Sequence, residues 1–171
     1  MPRVAMLGRF QPVHLGHENA IRRAQQYGDV FIGIYRVPQS FYNPYRPEDV
    51  EEMLHNAVPE ITTFFFNPTY SPLSFIDQME KGAGTRKFYT RSLRSAMLMD
   101  FLGFEVAYEA RDKFRAFDIR ESLMSGTNDW KSFVNPKNLE IIETASNRQL
   151  AKPRIFSFGL MQDLYKHGFG L

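Results

Sequence analysis

An open, doubly wound α/β sheet of five parallel strands, with helices added at its C-terminal end, is the fold this sequence predicts. Short apolar runs of strand length alternate with helical patterns, which is the mark of repeated βαβ units. Gly, Pro and Asn punctuate the junctions between them. The chain has 171 residues, a length that suits one domain of this kind.

The first strand reads as Val4 to Leu7. A helix follows from near His17 to Tyr27, with Ala20, Ile21, Ala24 and Tyr27 on one face and Gly28 as its stop. The second strand is Val30 to Tyr35. Pro47 suits the first position of the next helix, whose buried stripe is Val50, Met53, Leu54 and Ala57. The third strand, Ile61 to Phe66, precedes a short helix around Leu73 to Glu80, after which Gly82 and Gly84 break the chain. The fourth strand, Lys87 to Thr90, leads into a helix bearing Leu93, Met97, Leu98, Phe101 and Leu102, stopped by Gly103. The fifth strand is Phe104 to Tyr108. Then come a basic loop, a helix around Asp118 to Ser125 ended by Gly126, and a helix from about Pro136 to Gln149. Residues 1–150 are expected to form the domain. The remaining 151–171 read as a tail, whose Phe156, Phe158, Leu160, Met161, Leu164 and Tyr165 would pack on the body or on another subunit of a homo-oligomer.

Composition narrows the function. The absence of cysteine excludes disulfides, thiolate metal sites and a cysteine nucleophile. A net charge of +2, from 21 basic and 19 acidic side chains, argues against a large nucleic-acid footprint. Arg86, Lys87, Arg91, Arg94, Arg111, Lys113, Arg115 and Arg120 do gather in the second half, as solvated surface or as the seat of an anionic ligand. No apolar run reaches membrane-spanning length, and the start lacks the form of a signal peptide. A soluble, cytoplasmic protein without membrane or nucleic-acid partners is expected.

Ligands of doubly wound sheets bind at the carboxyl ends of the strands, beside the point where the strand order reverses. The loop after the first strand, Gly8-Arg9-Phe10-Gln11-Pro12-Val13-His14-Leu15-Gly16-His17, is therefore the place to look for chemistry. Gly8 allows close backbone approach and Gly16 leaves room for a phosphate at the helix start. His14 and His17, three residues apart at a helix entry, can face one side. The helix N-terminus there adds amide groups and a positive dipole end. Two imidazoles so placed can donate hydrogen bonds to triphosphate oxygens and stabilise charge as pyrophosphate leaves. A zinc site is disfavoured because no further His or Cys stands nearby.

The run G-R-F-Q-P-x-H-x-G-H resembles the signature of the adenylyltransferase branch of the nucleotidyltransferase superfamily. Within it, the sequence is most similar to nicotinamide-nucleotide adenylyltransferases of archaeal and Nudix-associated type. Asn43-Pro44-Tyr45 followed by Glu48 to Met53 is similar to that family's N-P-F segment and helix. Phe117-Asp118-Ile119-Arg120, with Asp129-Trp130-Lys131-Ser132-Phe133-Val134, resembles its T-x-I-R helix and D-W-R-S-L-V segment. The likeness implies a Rossmann-like fold, catalysis by His14, His17 and Arg120, and a nucleotide held at Gly8, Arg9, Phe10, Gly16, Thr90, Arg91 and Ile119. It further implies ATP with Mg2+ and nicotinamide mononucleotide as substrates, giving NAD and pyrophosphate. Tyr45 and Phe75 are candidate rings for stacking on a base, although each taken alone reads first as core, since aromatics are abundant in the chain. Leu15, Val50, Arg91-Ser92 and Arg115-Ala116-Phe117 depart from the family pattern. A different phosphorylated acceptor, or a non-catalytic nucleotide-binding protein, are the alternative readings.

Overall fold

The computed structural model describes residues 1–40, 43–110 and 116–150. Its centre is β1 (Arg3–Gly8), flanked by β2 (Asp29–Tyr35) and β4 (Lys87–Thr90), with β3 (Thr62–Phe66) and β5 (Glu105–Tyr108) outside them. All four pairings are parallel, and the strand order is β3-β2-β1-β4-β5. The order reverses between β1 and β4, so the cleft at their carboxyl ends is the switch point.

Parallel strands are covered on both faces, which is why β1 is apolar along its length rather than alternating. Val4 and Met6 face one layer and Ala5 the other. The first layer holds α1 (Leu15–Ala24) and α2 (Pro47–Ala57), joined by Ile119 of α5 (Ala116–Ser125) and Ile142 of α6 (Leu139–Leu150). The expected stripe of α2, Val50, Met53, Leu54 and Ala57, is buried as a whole, and Pro47 opens the helix. The second layer holds α3 (Pro72–Ala83) and α4 (Leu93–Phe101), packed through Phe75, Met79, Ala83 and Met99. Among the described residues no helix is long and apolar enough to cross a membrane.

Two elements differ from the sequence expectation. Gly82 does not break the chain; it lies inside α3, where a Cβ would stand 2.2 Å from the Phe64 ring. Gly33 of β2 makes room for the same ring, with a Cβ position 2.8 Å from it. The two glycines form a seat for Phe64, and Gly84, at φ +62, is what ends the helix. The second difference is α4. Its buried residues are Ala96 and Met99, whereas Leu93, Met97, Leu98 and Phe101 are exposed. The small Ala96 lets the helix lie close on two four-residue strands, and that contact leaves the larger stripe outward. The tail 151–171, and Arg111, Lys113 and Arg115 of the basic loop, lie outside the described residues.

Replacing Gly82 by Ala should therefore destabilise the protein, although Ala is the better helix former by about 1 kcal/mol. Overpacking against a ring wedged between helix and strand costs about 1–3 kcal/mol, so a net loss of up to about 2 kcal/mol is expected in chemical denaturation. Combining Gly82→Ala with Phe64→Leu should recover part of the loss. A stabilised Gly82→Ala would show that the ring has room to move.

Candidate active site

β1 must hand a buried chain to a helix within a few residues, and the turn that does so is held by packing and by one amide. Phe10 adopts a left-handed backbone with φ 51, and its ring folds back over Gly8, 2.8 Å from where a Cβ would sit. A side chain at position 8 would collide with that ring. The Gln11 side chain then bonds the main chain of Tyr45 in both senses. Its Nε2 donates to the Tyr45 carbonyl at 3.1 Å, and its Oε1 accepts from the Tyr45 N–H at 3.0 Å. Both bonds are buried, which removes competition from water. The motif loop and the Asn43-Pro44-Tyr45 segment are thereby fixed to one another.

His14 occupies the N-cap position of α1, with extended backbone angles, and its carbonyl accepts from the N–H groups of His17 and Glu18 at 2.8 and 3.1 Å. The two imidazoles stack, with centroids 3.7 Å apart and planes inclined by 28°. Phe10 supports them by an edge contact to His17 at 5.0 Å. The Nδ1 of His17 accepts from the His14 backbone N–H at 3.4 Å, which leaves Nε2 as the protonated, donating nitrogen of the neutral ring. His14 is buried and its Nδ1 has no hydrogen-bond partner among the described residues. Burial, reinforced by the charges of Arg120 and Arg91, lowers its pKa to about 4. At neutral pH it is uncharged, with polar capacity to spare.

The two arginines reach this place from different elements. Arg120, on α5, donates through Nη1 to the Gln11 carbonyl, so the helix is tied to the middle of the motif loop. Arg91 follows β4 and donates through Nε and Nη2 to the Ala110 carbonyl at 3.2 and 2.7 Å. Thr90 is buried at the end of β4; its hydroxyl accepts from Ser92 N–H and its carbonyl from Glu109 N–H. Ser92, one of the departures from the family pattern, caps α4 by accepting from the Ser95 N–H. Imidazoles from the loop and guanidinium groups from β4 and α5 thus converge at the switch point, beside the N-terminus of α1. Such an arrangement suits phosphate oxygens.

Other expected residues lie differently. Gly16 is buried in the first turn of α1. Arg9 is exposed and stands near Tyr35 at the end of β2: burial raises the Tyr35 hydroxyl, and the Arg9 charge acts in the opposite sense. Ile119 is core, with its side chain in the first layer. Tyr45 and Phe75 are core as well, on opposite faces of the sheet; Tyr45 is fully buried and Phe75 packs on Phe66 with ring centroids 5.0 Å apart. They are not brought together, and neither ring is open to a base. Sequence reasoning gave no role to Gln11, or to Glu109, whose carboxylate pairs with Arg23 at 3.1 Å and ties α1 to the end of β5.

Residues 5–79 match the model of the cytidylyltransferase-like family. Over 157 residues the chain is 27% identical to a nicotinamide-nucleotide adenylyltransferase of Pyrobaculum neutrophilum, covering 84% of this chain and 88% of that one. Among solved structures it is similar to a bifunctional NMN adenylyltransferase/ADP-ribose pyrophosphatase from Francisella tularensis, in complex with AMP and a manganese ion. There the TM-score is 0.71 at 20% identity, over 98% of this chain; the chain spans 56% of that longer protein. That likeness speaks for the fold, and the reversal of the strand order at the paired histidines speaks for the site. Motif, topology and relatives point the same way: over residues 5–79 the chain is similar to the cytidylyltransferase-like family, and over most of its length to a nicotinamide-nucleotide adenylyltransferase.

Proposed function

We propose that this chain transfers the adenylyl group of ATP to nicotinamide mononucleotide, giving NAD and pyrophosphate. The observation that carries the reading is the stacked histidine pair at the start of α1, with His14 uncharged, flanked by Arg91 and Arg120. The adenylyltransferase relative from Pyrobaculum supplies the acceptor. A phosphate oxygen of the acceptor attacks the α-phosphorus of ATP, the bond from that phosphorus to the β-phosphate bridge breaks, and pyrophosphate leaves with the electron pair. No covalent bond to the protein is needed, so positioning and electrostatics are what the chain supplies.

The Nε2–H of His17 donates to the α-phosphate as its oxygens gather charge, and His14, stacked against that ring, holds it in place beside the phosphate chain. Neutral imidazoles serve here because they donate hydrogen bonds without neutralising the triphosphate before the transition state. Arg120 stabilises the β- and γ-phosphates of the leaving group, and Arg91 lies on the β4 side of the same cleft. Glycines 8 and 16, Arg9 and Phe10, Thr90, and the main chain at Ile119 frame the nucleotide. The Asn43-Pro44-Tyr45 segment, held by Gln11, borders the acceptor. Magnesium enters with ATP as part of the substrate, its ligands being phosphate oxygens and water. A cytoplasmic location belongs to the same reading.

Turnover with ATP and nicotinamide mononucleotide, followed by pyrophosphate release, tests the reading directly. Activity only with another phosphorylated acceptor would sink the assignment, and nucleotide binding without turnover on any acceptor would sink the enzyme. Changing His17 to Ala should lower kcat about a hundredfold to ten-thousandfold while circular dichroism stays unchanged. His14→Ala should act in the same direction, and near-normal rates in both variants would make the pair structural.

The neutrality of His14 has its own signature. Between its unfolded value of 6.5 and its folded value of about 4, the unfolded chain binds a proton at this ring that the folded chain does not. Stability contributed by the neutral ring is present above pH 6.5 and is lost as pH falls through that window, by up to about 3 kcal/mol. Urea denaturation of the wild type and His14→Gln at pH 7 and pH 4.5 should show a shallower pH dependence in the variant. Equal slopes would mean that residue 14 titrates as freely folded as unfolded.

A further inference from the structure

The outward face of α4 is not accounted for by any function of the nucleotide site. Leu93, Met97, Leu98 and Phe101 are 59%, 66%, 51% and 85% exposed on a single nine-residue helix. Scattered apolar residues on a surface are ordinary, but four on one short helix form a patch. Leu93, Met97 and Phe101 are spaced by four and therefore lie in one row along the helix. The buried Ala96 and Met99 fix the opposite side against the sheet.

The row is symmetric about its middle. Leu93 precedes Met97 by four residues and Phe101 follows it by four, about 6 Å to either side along the axis. Arg94 precedes Met97 by three and Asp100 follows by three; both are exposed. Neither has an ion-pair partner among the described residues. A second copy of this helix, laid antiparallel across Met97, sets Leu93 level with the partner's Phe101 and Arg94 level with the partner's Asp100. Each acidic end then meets a basic end, and the larger ring meets the smaller side chain. A parallel copy would instead place Arg94 beside the partner's Arg94 and Asp100 beside the partner's Asp100.

The area is of the right order. The largest apolar patch on a typical monomer measures about 300–600 Å², so two faces of that size brought together approach the roughly 1,000 Å² that a specific interface needs. We propose that α4 is a self-association surface, on which two copies of this chain pair antiparallel about a two-fold axis passing beside Met97. Isologous pairing is the form expected when one patch is complementary to itself.

The absence of cysteine permits a direct test on the full-length chain. Met97→Cys lies on the axis and should cross-link to its own copy under mild oxidation. Leu93→Cys alone should not, because its copy lies about 12 Å away along the helices. A mixture of Leu93→Cys and Phe101→Cys should form the mixed disulfide. Met97→Glu, which is exposed and away from the nucleotide site, should halve the mass seen by light scattering while adenylyl transfer continues. Efficient self-cross-linking of Leu93→Cys would overturn the antiparallel arrangement. A monomeric wild type, or an oligomer whose mass is unchanged by Met97→Glu and which shows no Met97→Cys cross-link, would overturn the surface itself. The latter results would point instead to residues 151–171, or to a different protein, as what meets the patch.

Discussion

Everything at the candidate site depends on how β1 leaves the core. The strand is the middle of the sheet, with Val4 and Ala5 wholly enclosed, so its continuation cannot wander before the helix begins. The turn is made by a phenylalanine in a left-handed conformation whose ring needs the bare backbone of Gly8 beneath it. It is completed by a glutamine that spends both ends of its amide on the main chain of one residue 34 positions away. Only after these two constraints are met do His14 and His17 arrive at the helix start in stacked register. The histidines look like the centre of the motif, but they are its passengers; the preceding residues decide where they ride.

The same turn settles their electrical state. A histidine at an exposed helix start would titrate near its ordinary value and be half charged in mildly acidic solution. Here burial and two guanidinium groups act together, and His14 stays uncharged well below neutrality. The positive charge beside His14 is thus left to arginine, which does not lose it, while the His14 imidazole remains polar without being ionic. One guanidinium is anchored on the Gln11 carbonyl and the other on that of Ala110, so their positions are fixed by main chain.

Much of this was legible in the sequence. The alternation of apolar runs and helical patterns reveals the five strands, because a strand buried on both faces must be apolar along its length. The loop after β1 stands out because Gly, Pro and paired His occur together. Its place at the switch point follows from topology, which needs no coordinates. The features that resisted reading have common physical causes. The helix after β4 shows an apolar period, but periodicity locates a stripe without saying whether sheet or solvent lies beneath it. There the small Ala96, invisible as a signal, decides the answer. Gly82 reads as a break because glycine usually is one, and only the Phe64 ring, brought across from β3, explains it inside a helix. Gln11 bonds to backbone, and contacts to backbone leave no complementary side chain to notice. Tyr45 and Phe75 are large rings that suit base stacking, yet burial claims both.

The clamp between Gln11 and Tyr45 bears on how such a protein can change over time. A side chain that reads only the N–H and C=O of one residue is indifferent to the side chain which that residue carries. Position 45 is therefore open to any residue other than proline whose bulk fills the same buried space, and drift there leaves the clamp intact. Position 11 has no such liberty. Glutamate lacks the donor, leucine lacks both partners, and asparagine is a methylene too short to span the gap. A lineage that altered its acceptor would be expected to rewrite the loop around the clamp and leave the clamp itself untouched.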